Sequence, residues 1–133
     1  MKPNGFSTEE KLKKKSEITL LFNEGKWLST DNLKIIYLGS SEKYPMESHR
    51  IGVSVSKKFF KKAVHRNRIK RLLRESYRLN KAAYLSAFGD RSLAMIFWSS
   101  KELPKHFSAV EKQFLKLCKK KVRIPQDSEF EKF

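Results

Sequence analysis

Acidic residues are scarce in this sequence. Across 133 residues there are 14 Asp or Glu against 30 Lys or Arg, which leaves a formal net charge of +16. Cysteine is scarcer still: the single Cys118 excludes an internal disulfide and any zinc site built on paired cysteines. Long hydrophobic runs are missing, and the longest, such as Leu93–Trp98, fall far short of the roughly 20 apolar residues that a membrane-spanning helix needs. No apolar segment follows Met1-Lys2-Pro3-Asn4-Gly5, so no signal peptide is visible and a cytoplasmic protein is expected. Catalytic signatures are lacking as well. His49, His65 and His106 lie far apart, and no metalloprotease, phosphate-loop, dinucleotide or nucleophile-elbow motif occurs. Disorder throughout is excluded, because 39% of the chain is hydrophobic and ten residues are Phe.

What remains is one basic domain spanning residues 1–133, with an ordered core expected over about 8–122 and frayed ends at 1–7 and 125–133. The charge is concentrated. Arg50 to Arg74 holds ten Lys or Arg and no acid, a second cluster is Lys11, Lys13, Lys14 and Lys15, and a third runs from Lys116 to Arg123. Such a field calls for a polyanionic partner, with nucleic acid ahead of an anionic membrane surface.

Periodicity supplies the frame. Ser16–Gly25 reads as a short helix with Ser16 as its cap, Gly25 as a left-handed stop, and Ile18, Leu21 and Phe22 as its apolar face. Lys26–Ser29 and Leu33–Gly39 read as strands. Arg50–Ser56 alternates Ile51, Val53 and Val55 with Gly52, Ser54 and Ser56, which gives one core face and one small, polar, accessible face. From Ala63 to Asn80 the period becomes helical: Ile69, Leu72, Leu73, Ser76 and Tyr77 fall on one side, and Asn67, Arg71, Arg74 and Arg78 on the other. Ala82–Phe88 extends the helical signal up to Gly89, and Ser92–Trp98 is apolar on both faces, as suits a central strand. Ser108-Ala109-Val110-Glu111 has capping-box spacing ahead of a last helix with Phe107, Val110, Phe114 and Leu117 as its seam. The predicted order α-β-β-β-α-β-α makes an α/β protein, an α+β sandwich of a roughly four-stranded sheet and helices.

The stretch Lys57-Lys58-Phe59-Phe60-Lys61-Lys62-Ala63-Val64-His65-Arg66-Asn67-Arg68-Ile69-Lys70-Arg71 puts an almost acid-free cationic face on a helix, with arginine forks suited to phosphate oxygens. Solvated faces ordinarily mix signs through i,i+4 pairs, and here Glu75 is the only acid near. Phe22 and Tyr37 are candidates to stack on unpaired bases beside the small face of the Arg50–Ser56 strand. Trp27 and Trp98 read as core or rim residues, and Phe59 and Phe60 serve either the loop or a base.

The run Arg66-Asn67-Arg68-Ile69-Lys70-Arg71-Leu72-Leu73-Arg74-Glu75, led by Gly52-Val53-Ser54-Val55-Ser56-Lys57-Lys58 and preceded by Phe22-Asn23-Glu24-Gly25, resembles the bacterial ribonuclease P protein subunits. The resemblance covers about Leu12 to Lys121. It implies a left-handed β-α-β crossover around the basic helix, where general topology would favour a right-handed one. It also implies a partner, the catalytic RNA subunit, and a substrate, precursor tRNA, with no obligatory protein partner. In that family Mg2+ is held mainly by the RNA, which performs the hydrolysis that removes the 5′ leader, so the protein alone is expected to be inactive. By motif, Lys57, Lys58, Lys61, Lys62, Arg66, Asn67, Arg68, Lys70, Arg71 and Arg74 would contact the RNA subunit. Ile18, Phe22, Ile36, Tyr37, Arg50, Ser54 and Ser56 would form the leader groove. Ile18 stands where the family often has a second Phe, and either Tyr37 or Ile36 occupies the place of a groove aromatic. The rivals are a ribosomal or chaperone-like RNA binder, an autonomous nuclease and a membrane-surface binder.

Overall fold

The computed structural model describes residues 10–123, the last of them by backbone alone; the predicted frayed ends, 1–7 and 125–133, lie outside the described residues. Eight elements follow in order: α1 (Lys15–Glu24), β1 (Lys26–Ser29), β2 (Leu33–Gly39), β3 (Arg50–Val55), α2 (Ala63–Leu79), α3 (Lys81–Phe88), β4 (Ser92–Trp98) and α4 (Phe107–Arg123). The predicted order gains one separate helix. Asn80 breaks the helical path between α2 and α3 at φ −127°, and its side-chain amide donates to Ser76 O and to Glu111 Oε2. Among the described residues no helix is long and apolar enough to cross a membrane.

The four strands lie in the order β1-β2-β4-β3, antiparallel except for the parallel pair β3–β4. A parallel neighbour requires a crossover, and α2 and α3 supply it. The apolar run Ser92–Trp98 does take a central place, where both faces of the sheet are covered. On one side Leu33, Ile35, Ile51, Val55, Ala94, Ile96 and Trp98 pack under α2, α3 and α4, which contribute Ile69, Leu73, Tyr77, Tyr84, Val110, Phe114 and Leu117. On the other side a smaller cluster of Leu12, Leu21, Ile36 and Leu93 lies beneath α1. Ser76 is buried on the apolar side of α2, as its spacing predicts, and its hydroxyl donates back to Leu72 O. Cys118 is buried in the larger core, and that burial pushes its thiol up to about 12, so it is a packing residue and no nucleophile.

Three local expectations fail for physical reasons. Helix α1 begins at Lys15 behind Lys14, and α4 at Phe107, so Ser16 and Ser108 lie inside their helices and cap neither. Gly25 adopts φ −76°, ψ 164°, an extended conformation open to any residue. Its glycine answers to space instead: a Cβ there would lie 2.5 Å from Leu21 O and 2.7 Å from Ile36 Cγ1. Gly25→Ala should therefore push α1 off the sheet and cost about 1–3 kcal/mol, as overpacking does, readable as a lowered denaturant midpoint at unchanged slope.

At the other end of β3, the residues preceding α1 run beside the sheet edge. Leu12 N–H donates to Ile51 O at 3.1 Å, and Lys11 bridges Ile51 in parallel. Glu10 anchors this segment: it accepts from the Tyr77 hydroxyl and sits 2.9 Å from Lys81 Nζ, with His49 Nε2 2.6 Å from the same hydroxyl. Burial, followed by the neighbouring Glu10 carboxylate, holds the Tyr77 hydroxyl well above its usual range, so it stays a donor.

Candidate nucleic-acid interface

Helix α2 buries Ile69, Leu73, Ser76 and Tyr77 and turns Asn67, Arg71 and Arg74 to solvent, as the period of 3.6 requires. Lys57, Lys58, Lys61 and Lys62 are exposed on the segment that leads into it. Glu75 does not dilute this face. Arg78 binds it through two nitrogens at 2.8 Å, and that hydrogen bond holds the Glu75 carboxyl below the usual carboxylate range. Arg66 and Arg68, grouped in the sequence with the phosphate binders, are half-buried and already engaged. Arg66 Nη1 donates to Phe60 O and Lys61 O, both at 2.8 Å, and so folds the lysine loop against the start of α2. Arg68 reaches Pro104 O at 2.6 Å and Lys105 O at 3.2 Å, tying α2 to the turn before α4. These two arginines shape the surface, while Lys70, half-buried, and the exposed Asn67, Arg71 and Arg74 complete it.

The opposite face of the sheet carries a groove. Strand register builds it in rows: Trp27, Ile36, Met95 and Gly52 form one, and Ser29, Lys34, Phe97 and Ser54 the next. Helix α1 covers the first row in part and presents Phe22 at its margin. Phe22 lies 6.2 Å from Trp27 and 6.1 Å from Phe97, and Trp27 and Phe97 lie 5.5 Å apart, so the three rings touch one another. Beside them opens a cleft of about 730 Å³, whose lining includes Lys34, Ser54, Ser56, Phe59 and Lys120. Lys120 holds its place by donating to Ser29 O at 2.7 Å.

Of the seven predicted groove residues, six lie on this side and one does not. Phe22, Ser54 and Ser56 meet at or beside the cleft. Ile18, on α1 itself, is half-buried, Ile36 is completely covered by that helix, and Arg50 pairs with Glu17 at 3.3 Å at the far end. Tyr37 is the correction. One residue on from Ile36, it points to the other layer, where its ring meets Phe88 at 5.2 Å under Lys121. Ile36 therefore holds the groove-side position, but buried and aliphatic. Trp27, Phe97, Lys34 and Lys120 are groove residues that the sequence pattern does not single out. Phe97 is hidden in an apolar run, and the face of Trp27 follows only from the β1–β2 register.

The sequence matches the profile of the family described as Ribonuclease P over residues 6–122. The chain belongs to the ribonuclease P protein family. Among curated relatives, the ribonuclease P protein component of Porphyromonas gingivalis strain W83 is 41% identical over 116 residues, which span 84% of this chain and 82% of that one. That of Petrotoga mobilis is 35% identical over 125 residues, 90% and 98% of the two chains. Among solved structures, the RNase P protein from Thermotoga maritima superposes with a TM-score of 0.67 at 27% identity, over 84% of this chain and 96% of that one. The ribonuclease P fold and the mixed α+β architecture are thus the same, and the family is a subunit of the endoribonuclease that processes tRNA 5′ ends.

Proposed function

We propose that this protein works with ribonuclease P RNA, binding that RNA along the acid-free face of α2 and the single-stranded 5′ leader of precursor tRNA in the groove beside α1. The observation that carries the reading is the pair of unlike surfaces on opposite layers of one sheet. The α2 surface offers charge and arginine forks, which suit the phosphates of a structured RNA. The groove offers exposed rings, small hydroxyls and two lysines, which suit unpaired nucleotides.

Among the described residues no three His, Cys, Asp or Glu side chains are grouped to hold a metal ion. The part proposed for this chain is binding and positioning, and magnesium is assigned to the RNA side because the family resemblance implies it. By lowering the repulsion between leader and catalytic RNA, the protein reduces the magnesium needed to hold the two polyanions together. The test is cleavage of a precursor tRNA by ribonuclease P RNA at about millimolar magnesium, with and without the protein, beside protein alone. Cleavage at the mature 5′ end by the mixture only is the expected result. Cleavage by protein alone would place the catalytic groups in this chain. An RNA that cuts at high magnesium and gains nothing from the protein would make the chain a basic RNA binder of another kind.

A further inference from the structure

We infer that Lys11, Lys13 and Arg74 form a phosphate-binding site at the free edge of β3, which takes the backbone of ribonuclease P RNA where it runs on past α2. The inference rests on the reading that places this RNA on the α2 face. It gives a role to the amino-terminal lysine cluster, which neither that face nor the groove uses. The three side chains line a hollow of about 330 Å³ together with Ile51, Gly52 and Val53. All three are exposed, and none has a hydrogen-bond or ion-pair partner among the described residues. No acid among the described residues lines the hollow. Cations gathered in this way repel one another until an anion lies between them.

The segment before α1 holds two of these cations in place. Leu12 is buried, and successive residues of an extended segment point to opposite sides, so Lys11 and Lys13 both turn away from the core. Leu12 N–H donates to Ile51 O, so the backbone groups of Ile51 face outward from the sheet, and by the period of two those of Val53 do the same. The bridge to β3 is made at Lys11 and Ile51 alone among the described residues, which leaves the Val53 N–H on the open edge beside the lysines. A phosphate oxygen accepts from such an edge donor while the three cations neutralise its charge. Glu10 fixes the start of the segment. The Tyr77 hydroxyl donates to its carboxylate, so His49 Nε2, 2.6 Å from that hydroxyl, is the donor to the Tyr77 oxygen, and Lys81 Nζ lies 2.9 Å from Glu10 Oε1. The acid adjacent to Lys11 is thus engaged by Tyr77 and Lys81 and does not dilute the hollow. Arg74 decides the occupant. It belongs to both surfaces, one turn on from Arg71, so an RNA strand that follows α2 reaches the hollow without leaving cationic ground.

The test is equilibrium binding of the full chain to ribonuclease P RNA at several salt concentrations. Lys11→Gln with Lys13→Gln should weaken binding about tenfold and make the log–log salt slope shallower by about 0.9, the value of one phosphate. Lys14→Gln with Lys15→Gln removes the same charge from the same cluster outside the hollow, and should weaken binding by less than about threefold. All four lysines are exposed, so both double variants should keep the wild-type unfolding midpoint. In a Glu10→Ala background the Lys11 and Lys13 substitutions should lose most of their effect, because the segment no longer holds them at the edge. Precursor tRNA binding to the assembled holoenzyme should not change. Equal losses from the two lysine pairs would reduce the site to a diffuse positive field and overturn it. A full effect in the Glu10→Ala background would remove Glu10 as the positioning residue. A loss seen only in precursor tRNA binding would put a substrate phosphate in the hollow and overturn the assignment to ribonuclease P RNA. If Arg71→Gln with Arg74→Gln weakens binding and the Lys11 and Lys13 pair does nothing, the edge site fails and the α2 reading stands. If the wild-type chain has no salt-dependent affinity for that RNA, both fail.

Discussion

Replacing Arg71 and Arg74 together by Gln should weaken binding to ribonuclease P RNA by about a hundredfold, roughly 2.8 kcal/mol, with the fold unchanged. Both side chains are exposed on α2, one turn apart, and neither is used by a hydrogen bond or ion pair among the described residues. Their removal therefore leaves no buried partner unsatisfied. A hydrogen bond between charged groups contributes about 1.5–3 kcal/mol, and two such bonds at a wet surface place the loss near the lower end of their sum. The signature is the salt dependence: the slope of log affinity against log salt should become shallower by about 0.9 for each phosphate no longer neutralised, measured by equilibrium binding at several ionic strengths. Arg68→Ala should behave differently. Its guanidinium holds Pro104 O and Lys105 O, so its loss should also lower the unfolding midpoint, a change that the double Gln variant does not share. An equal fall in stability for both would mean that the α2 face is structural, and an unchanged salt slope for Arg71 and Arg74 would remove them from the interface.

The other large effect lies in the core. Phe114 is fully buried where α4 meets α3, stacked with Tyr84 at a centroid distance of 6.4 Å. Phe114→Ala should cost about 3–5 kcal/mol, a large share of the 5–15 kcal/mol that holds a typical domain together. The chain carries +16 in 133 residues, and compaction brings those charges together, so the free variant should unfold near room temperature. Ribonuclease P RNA, which binds the folded state in the proposed reading, should raise its melting temperature in a concentration-dependent way. A variant that melts within a few degrees of wild type would show that the α3–α4 packing contributes far less than its burial implies.

The parts of this molecule that sequence discloses are those with a local physical cause. The cationic face of α2 is legible because a 3.6-residue period separates Ile69, Leu73 and Tyr77 from Asn67, Arg71 and Arg74 before any tertiary contact exists. Strand β4 is legible because only a strand covered on both faces tolerates Ser92–Trp98. What depends on register is not legible. The side on which Tyr37 falls is set by a one-residue step in β2, and Trp27 joins the groove only because it pairs with Ile36 across two antiparallel strands. Likewise no spacing rule shows that Arg66 and Arg68 spend their forks on carbonyls of Phe60, Lys61, Pro104 and Lys105, since those partners come from loops. The motif marks the helix, and the fold decides which of its arginines remain available.

Strand β3 ends the sheet, and among the described residues the segment at Lys11 and Leu12 covers only its Ile51 end. The rest of that margin is a potential template for another copy of the chain. Nearby, Arg74, Lys11 and Lys13 line a hollow against Ile51, Gly52 and Val53, so any second copy approaching edge to edge brings the same cations with it. The positive field thus acts as a colloidal safeguard while the protein is free. Polyanions titrate that safeguard away, and it is weakest when RNA has neutralised part of the surface and left the margin uncovered. Precipitation should accordingly be greatest with the protein in moderate molar excess over RNA and recede when either component is in large surplus.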